Sequence, residues 1–444
     1  MLRVEKSVLF YFCSLGYIRL IFLGLYLKYG KSREGEIKMS DKYMLDTKAT
    51  LYEVTENCKE AIEVLALLGF DNLKDENMRA IFGKSITLEA ALRLKKIELE
   101  TFENLLDEKL QESNKEKSKE DDTAQRVEIA GVLPCPIRVP LMEGFEQWLT
   151  EQTFDFKLDY ELKAAYVGIS WLTDKLKNQT VEELPDLFIS AGFELFFDKN
   201  LFGKYKAENL FEDYTGIEKY NIDFDNDMIQ LKDPNKQYSI LGVVAAVFLI
   251  NTEELNGRKI PESWEDLLSE EFENSVSLPM ADFDLFNAIL LNIYKNYGQS
   301  GVEKLGKSLL KSMHPAEMVK SHIKAQNKPA VQIMPYFFTK MVKEGGPMVA
   351  VWPKDGAIIS PIFMLSKKDK KDQLDKIVKF FASKEVGEIF AHNGRFPTVN
   401  PEVDNRIEKD KIYMWLGWDY IKEHDISEEI KKCVDIFQNN ISTK

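Results

Sequence analysis

Sixteen consecutive residues, Gln111–Arg126, contain one apolar side chain, Ala124, while Lys115, Lys117 and Lys119 are interspersed among Glu112, Glu116, Glu120, Asp121 and Asp122. Such a stretch cannot offset the entropy of its own ordering by burial, so residues 111–126 read as a charged, solvated linker. The 444-residue chain is therefore expected to fold as separate parts on either side of it.

Before the linker, residues 45–110 carry a helical pattern throughout. Asn57 followed by Glu60 is a capping-type pair, after which Ala61, Ile62, Val64, Leu65 and Leu68 line one side of a helix that Gly69 can end. Asp75 and Gly83 bracket a second short helix, and Thr87 caps a third through Leu88, Ala91, Leu92 and Leu94. Leu99, Phe102, Leu105, Leu106 and Leu110 place a stripe on a fourth, completing a small all-α domain. Through Thr50–Val54, Glu60–Phe70 and Thr87–Ala91 this part resembles the small helical domain of hybrid-cluster-associated redox proteins and iron-sulfur-cluster repair proteins. In many relatives a Cys-containing turn follows the Gly-Phe pair; here the turn is Asp71-Asn72-Leu73-Lys74, and Cys58 reads as a small buried hydrophobe.

Residues 1–38 form an apolar leader. From Val8 to Leu27, 16 of 20 residues are apolar, near the ~20 that span a bilayer. Arg19 interrupts the run at a cost of roughly 2.5–3.5 kcal/mol for a helix centre. More basic residues follow the run than precede it, and it lacks the small-residue cleavage site of a secretory signal. Met39-Ser40-Asp41-Lys42 has the character of a cytosolic start, so a mis-assigned start, a membrane anchor and a cleaved signal all stand as readings. A start at Met39 implies a cytoplasmic protein; otherwise a membrane-anchored protein with an extracytoplasmic binding domain is expected.

Beyond the linker the period alternates. Val127–Leu133 is a strand ending at Pro134-Cys135-Pro136, and Leu141, Met142, Phe145, Trp148 and Leu149 then follow a helical spacing. Phe154–Leu162 alternates as a strand, Ile169–Leu176 is helical and Asp186–Ile189 is a short strand. Tyr238–Ile250 is a long apolar run enclosing Gly242, as expected where a chain crosses between two lobes. Helices Leu285–Tyr294, Val302–Leu310 and Glu317–Gln326 follow, then strand Ala330–Met334 and helix Tyr336–Val342. Strands Met348–Trp352 and Ala357–Leu365 and helix Gln373–Phe381 complete the series. Repeated βα units predict a mostly parallel sheet with helices on both faces, arranged as two α/β lobes within residues 127–444.

Pro261–Leu268 with Glu271-Phe272 and Val276–Pro279, then Met334–Phe338, Trp352–Ala357 with Ser360-Pro361, and Ala391–Pro397, occur in an order and spacing that carry a further resemblance. Over Val127–Val403 the chain is similar to the periplasmic-type solute-binding proteins of ABC importers, nearest to the branch of ferric-ion, polyamine, thiamine and related binders. The resemblance implies a two-lobed periplasmic-binding-protein-like (type II) fold that closes by hinge motion on a small molecule or ion. It also implies an ABC permease as partner, a monomer and no catalysis.

In open α/β sheets ligands lie beyond the carboxyl ends of the strands, where helix N-termini favour anions. Arg138 there is suited to clamp a carboxylate or phosphate, or else to pair with a surface Glu. Ser190, in Ser190-Ala191-Gly192, allows close backbone approach or serves as a plain helix cap. Asp282 and Asp284 suit a cation or a cap, and Asp355 and Ser360 complete either the cleft or a turn before a strand. Tyr336 and Tyr238 fit aromatic and amide-bearing solutes. In ferric-binding relatives phenolates ligate the iron, but Tyr336 is followed by Phe337 and Phe338 and the chain has no adjacent Tyr pair, which disfavours a bare ferric site. Cys135, flanked by prolines at a helix start, is a ligand-site candidate and carries the rival reading, a redox-linked enzyme or a cytosolic solute sensor.

The 59 basic against 73 acidic residues, a net charge of -14, exclude nonspecific binding to nucleic acid. Four cysteines and four histidines lie scattered without CxxC or i, i+4 metal spacing, and the glycines make no dinucleotide or P-loop pattern, so no metal and no cofactor is expected.

Overall fold

A computed structural model of the chain describes residues 47–441 except 69, 96, 98, 100, 104, 107–108, 110–124, 166–172, 174–175, 177–179, 206–207, 281–282, 324–325 and 344. The apolar run 8–27, nearly all of the linker, most of the 169–176 helix and Asp282 lie outside the described residues. The chain divides into two compact units between residues 122 and 123.

In the first unit, Thr50 Oγ1 accepts from the Glu53 N–H at 3.2 Å while the Glu53 carboxylate accepts from the Thr50 N–H at 2.8 Å. This reciprocal capping box starts α1 (Leu51–Asn57). The expected Asn57–Glu60 cap is replaced. The Cys58 N–H closes α1 on the Val54 carbonyl, and α2 (Glu60–Leu67) begins from Lys59 without a side-chain cap. Asp75 starts the short helix Glu76–Met78, which continues as a wide turn to Gly83, and Thr87 Oγ1 accepts from Ala90 N–H ahead of α3 (Leu88–Lys95). Leu51, Ala61, Leu65, Leu73, Leu88, Ala91 and Phe102 are completely buried and form the core. Cys58 is half-buried with Sγ 3.6 Å from Glu60, and burial pushes its thiol up, away from the thiolate that redox chemistry requires.

The second unit opens with β1 (Arg126–Leu133), α4 (Cys135–Thr150), β2 (Lys157–Ala164) and β3 (Leu187–Ala191), and β1 pairs in parallel with both β2 and β3. Helix α4 begins at Cys135, ahead of the Leu141 stripe, because Pro136 fits a first turn that needs no N–H donor. Strand β2 begins only at Lys157, since Phe154 and Phe156 stack on each other and Phe154 packs on Trp148. Then come β4 (Ser239–Asn251), β5 (Val276–Leu278), α5 (Phe283–Ser308), β6 (Leu309–Ser312), β7 (Val331–Pro335) and β8 (Met348–Val351). Strand β9 (Ala357–Ser366), α6 (Lys371–Phe381), β10 (Tyr413–Met414) and α7 (Ile426–Asn439) complete it. The two helices expected between 285 and 310 are present, divided at Gly298, whose backbone is non-helical (φ 67), and Leu309 already belongs to β6. The expected helix 317–326 is reduced to Pro315–Met318 and a 3-10 turn at Ser321–Ile323, and the Tyr336 helix is also of the tighter 3-10 kind.

The strand order is β2-β1-β3-β9-β4-β7-β5-β6, with β10 on β9 and β8 on β4. Ser239–Ala246 of β4 pair with β9, while Ala246–Asn251 pair with β7 and β8, so β4 starts in one lobe and ends in the other. Strand β9 returns, from β4 to β3. The expected mostly parallel sheet is thus mixed, because a strand leaving one lobe and its neighbour coming back must run antiparallel.

Lys367, just after β9, extends Nζ to the Asp186 carboxylate at 3.1 Å and to the Leu184 carbonyl at 2.6 Å, while Asp186 also accepts from Glu128 N–H. These side chains are only 4% and 10% exposed. Lys367→Met leaves the Asp186 charge buried alone, and urea unfolding of this variant is expected to show a loss of about 3–5 kcal/mol. A loss below about 1 kcal/mol would show that the carboxylate finds other compensation.

Candidate functional site

The lobes meet where the segments after β3 and β5 touch. Gly192, at φ 96, lies so close to Asp284 that a Cβ there would stand 2.2 Å from the carboxylate Oδ1, so only glycine allows this approach. Beside it, Phe193 stacks on Trp415 with ring centres 5.8 Å apart.

A second cluster gathers at the carboxyl end of β7. The Tyr336 ring meets Trp352 edge-to-face at 5.3 Å, and Trp352 meets Tyr413 in the same way at 5.4 Å. Arg395 holds its guanidinium 5.3 Å from the Tyr336 ring centre and donates to Thr339 Oγ1 at 2.7 Å. Its own backbone is left-handed, φ 46, an uncommon state for a long side chain. The turn carrying it packs on α4, where a Cβ on Gly394 would meet Ile137 at 2.3 Å. Lys340 donates to the carbonyls of His392 and Asn393 at 2.8 and 2.6 Å. Desolvation, then repulsion from Arg395 and Arg406, holds the Lys340 ammonium below its ordinary pKa. On the other side, burial pushes the Asp223 carboxyl up against the Asn405 amide that donates to it at 2.9 Å.

Of the sequence-derived candidates, Tyr336 lies in this cluster, and Cys135 is exposed at the first position of α4, two residues from Ile137. Four others are occupied by the fold. The Tyr238 ring is buried among Phe196, Phe197, Phe363 and Trp418, and its hydroxyl donates to the Phe196 carbonyl at 3.2 Å, so it is a core residue of one lobe. Asp355 accepts from the Trp264 N–H at 2.8 Å and from the Tyr297 hydroxyl at 2.8 Å, fastening the helix Trp264–Leu267. Arg138 donates from Nε to the Leu162 carbonyl at 2.8 Å, tying α4 to β2. Ser190 is completely buried in β3, its hydroxyl 3.3 Å from the Ala191 carbonyl. Ser360 is completely buried within β9, and its hydroxyl has no partner among the described residues.

Arg395, Lys340, Trp352, Tyr413 and Asp223 were missed. The turn 391–397 and Trp352 stand inside the motifs that carried the resemblance, but the Arg395–Thr339 contact spans 56 residues and no local pattern announces it. Cavities do not locate the site. Two small cavities among the described residues lie elsewhere, one beneath Leu241 and Phe390 without room for a water and one of about 30 Å³ beside Asp213 and Lys232.

Two lobes joined by paired crossing strands, with aromatic and cationic side chains gathered where they meet, define a hinged binding protein. Residues 182–424, more than half of the chain, match the family model of bacterial extracellular solute-binding proteins, and the chain belongs to that family. This is a family of transport proteins rather than of enzymes. Residues 45–102 match a domain of unknown function, DUF1858. The apo ferric ion-binding protein A of Pasteurella haemolytica is similar with a TM-score of 0.51 at 11% identity, over 71% of this chain and 98% of that one. A structure described as an ABC transporter from Clostridium perfringens gives 0.51 at 15% identity, covering 71% and 100%. The ferric binding protein of Campylobacter jejuni gives 0.50 at 16%, covering 71% and 99%. At these identities the likeness is one of fold. No curated protein sequence matches the chain.

Tyr238→Phe removes one buried hydrogen bond and no group of the cluster. It is expected to lower stability by about 1 kcal/mol in urea unfolding, with solute affinity unchanged within about twofold. A tenfold weaker affinity would return Tyr238 to the site.

Proposed function

We propose that this protein captures a small organic anion between its lobes and presents it, as a noncatalytic monomer, to an ABC permease. The observation that carries the reading is Arg395, positioned over Tyr336 in a left-handed turn, with Lys340 supported by two carbonyls beside it. Fixed cations next to aromatic faces suit a carboxylate or phosphate on a flat or apolar body better than a bare cation. Among the described residues no three His, Cys, Asp or Glu side chains stand close enough to hold a metal ion, and Tyr336 has phenylalanines beside it, so a ferric ligand is the weaker reading.

The family's description supports an extracytoplasmic position, for which the apolar leader would serve as anchor or signal. No described helix is long and apolar enough to cross a membrane. The helical unit has Cys58 in a setting that favours the thiol, which supports a docking or structural role for that unit over a redox one.

Thermal-shift measurements with benzoate, citrate, phosphate, ferric ion, spermidine and thiamine test the proposal. An organic anion at about 100 times its Kd is expected to add about 2.7 kcal/mol, a rise of several degrees in Tm, and Arg395→Ala is expected to abolish the rise. A rise given only by spermidine, thiamine or ferric ion overturns the anion reading. Cys135→Ser is expected to leave the shift unchanged; loss of a measurable turnover in that variant would support the enzyme reading instead.

A further inference from the structure

We infer that Tyr413 and Trp415 are specificity-determining hydrogen-bond donors of the cleft, selecting a solute that carries an acceptor on an aromatic ring in addition to its anionic group. This inference rests on the anion-binding reading of the cluster around Arg395.

Trp415 follows Tyr413 by two residues, just past the short strand β10. That stretch lies at the junction of the lobes. Tyr413 is packed against Trp352, which follows β8 in one lobe, whereas Trp415 is stacked on Phe193, which follows β3 in the other. The rings of Tyr336 and Trp352 connect Tyr413 to the guanidinium of Arg395.

The Tyr413 hydroxyl and the Trp415 Nε1–H are both buried, and neither has a hydrogen-bond partner among the described residues. Buried donors left unbonded are costly, and aromatic residues with a polar atom normally find it a partner. The indole N–H is a donor only, so whatever satisfies it is an acceptor. Burial, with the neighbouring Asp223 and Tyr336, pushes the Tyr413 phenol well above its ordinary value, so it too stays protonated and able to donate. A protonated amine has no lone pair and cannot accept from either group. A flat ring with an oxygen or ring-nitrogen acceptor fits both the donors and the aromatic faces that surround them.

Titration calorimetry on the full chain tests the assignment with benzoate, para-hydroxybenzoate, acetate, inorganic phosphate and benzylammonium as probes. Para-hydroxybenzoate is expected to bind about tenfold tighter than benzoate, and both much tighter than acetate. Tyr413→Phe preserves the ring, and Trp415→Phe keeps an aromatic side chain while removing the indole N–H. Each is expected to cut severalfold the ratio of para-hydroxybenzoate to benzoate affinity measured within that variant, and the unfolding midpoint of each variant establishes that it is folded.

A preference that survives in both variants, or is absent in the parent, overturns the inference and assigns the two donors to ordered water. Acetate or phosphate binding as tightly as the aromatic anions overturns the inference but leaves the anion-binding reading in place. Binding of benzylammonium in preference to benzoate, or of none of the anions, overturns both.

Discussion

The antiparallel pairing of β4 with β9 holds the larger unit together. Both strands are buried along their whole length, so every backbone N–H and C=O on them must find its partner in a neighbouring strand. Strand β4 takes β9 along its first half and β7 and β8 along its second, while β9 is shared with β3 and β10. The lobes therefore cannot part without breaking this ladder, and their relative motion is confined to bending where the strands cross. Gly242 sits at the register shift between β4 and β9, bridged to Thr398, where a Cβ would stand 2.9 Å from the Pro397 carbonyl. This is why the apolar run tolerates a glycine.

The site depends on the same ladder. Tyr336 follows β7 and Trp352 follows β8, both paired to the far half of β4, while Tyr413 lies on β10, paired to β9. Groups that converge from three segments are thereby hung from two rigid strands, which fixes ring-to-ring geometry better than loops alone. Arg395 reaches the same place by another route, through a turn packed on the first turns of α4. The local charge opposes the global one. A molecule with net charge -14 brings Lys340, Arg395 and Arg406 close enough for the arginines to depress the lysine's pKa, and such repulsion persists only where surrounding contacts impose it.

Legibility in the sequence followed the range of the interaction. Thr87 and Asp75 were readable as helix starts because a cap is made within three residues. The Asn57–Glu60 pair was misread because Thr50 and Glu53 satisfy the same rule seven residues earlier and Asn57 is needed to finish that helix. Strand positions were readable from their apolar runs, but parallel or antiparallel pairing was not, since side-chain alternation is the same in both. Tyr238 and Asp355 have the residue type and the position of ligand groups; the Phe196 carbonyl and the Trp264 and Tyr297 donors that occupy them lie 42, 91 and 58 residues away.

By itself the sequence determined the separation of a helical part from an α/β part, the two-lobed fold class, the run that must cross between lobes, and Tyr336 at a strand end. Those properties come from burial and period, which act over a few residues and survive without knowledge of the partner. Tertiary structure alone decided which strands run antiparallel, that Arg395 lies over Tyr336, and that Tyr413 and Trp415 are buried with their donors unbonded. Each of these depends on groups brought together from distant parts of the chain by the crossing strands, and a contact of that kind leaves no periodic mark in the residues that make it.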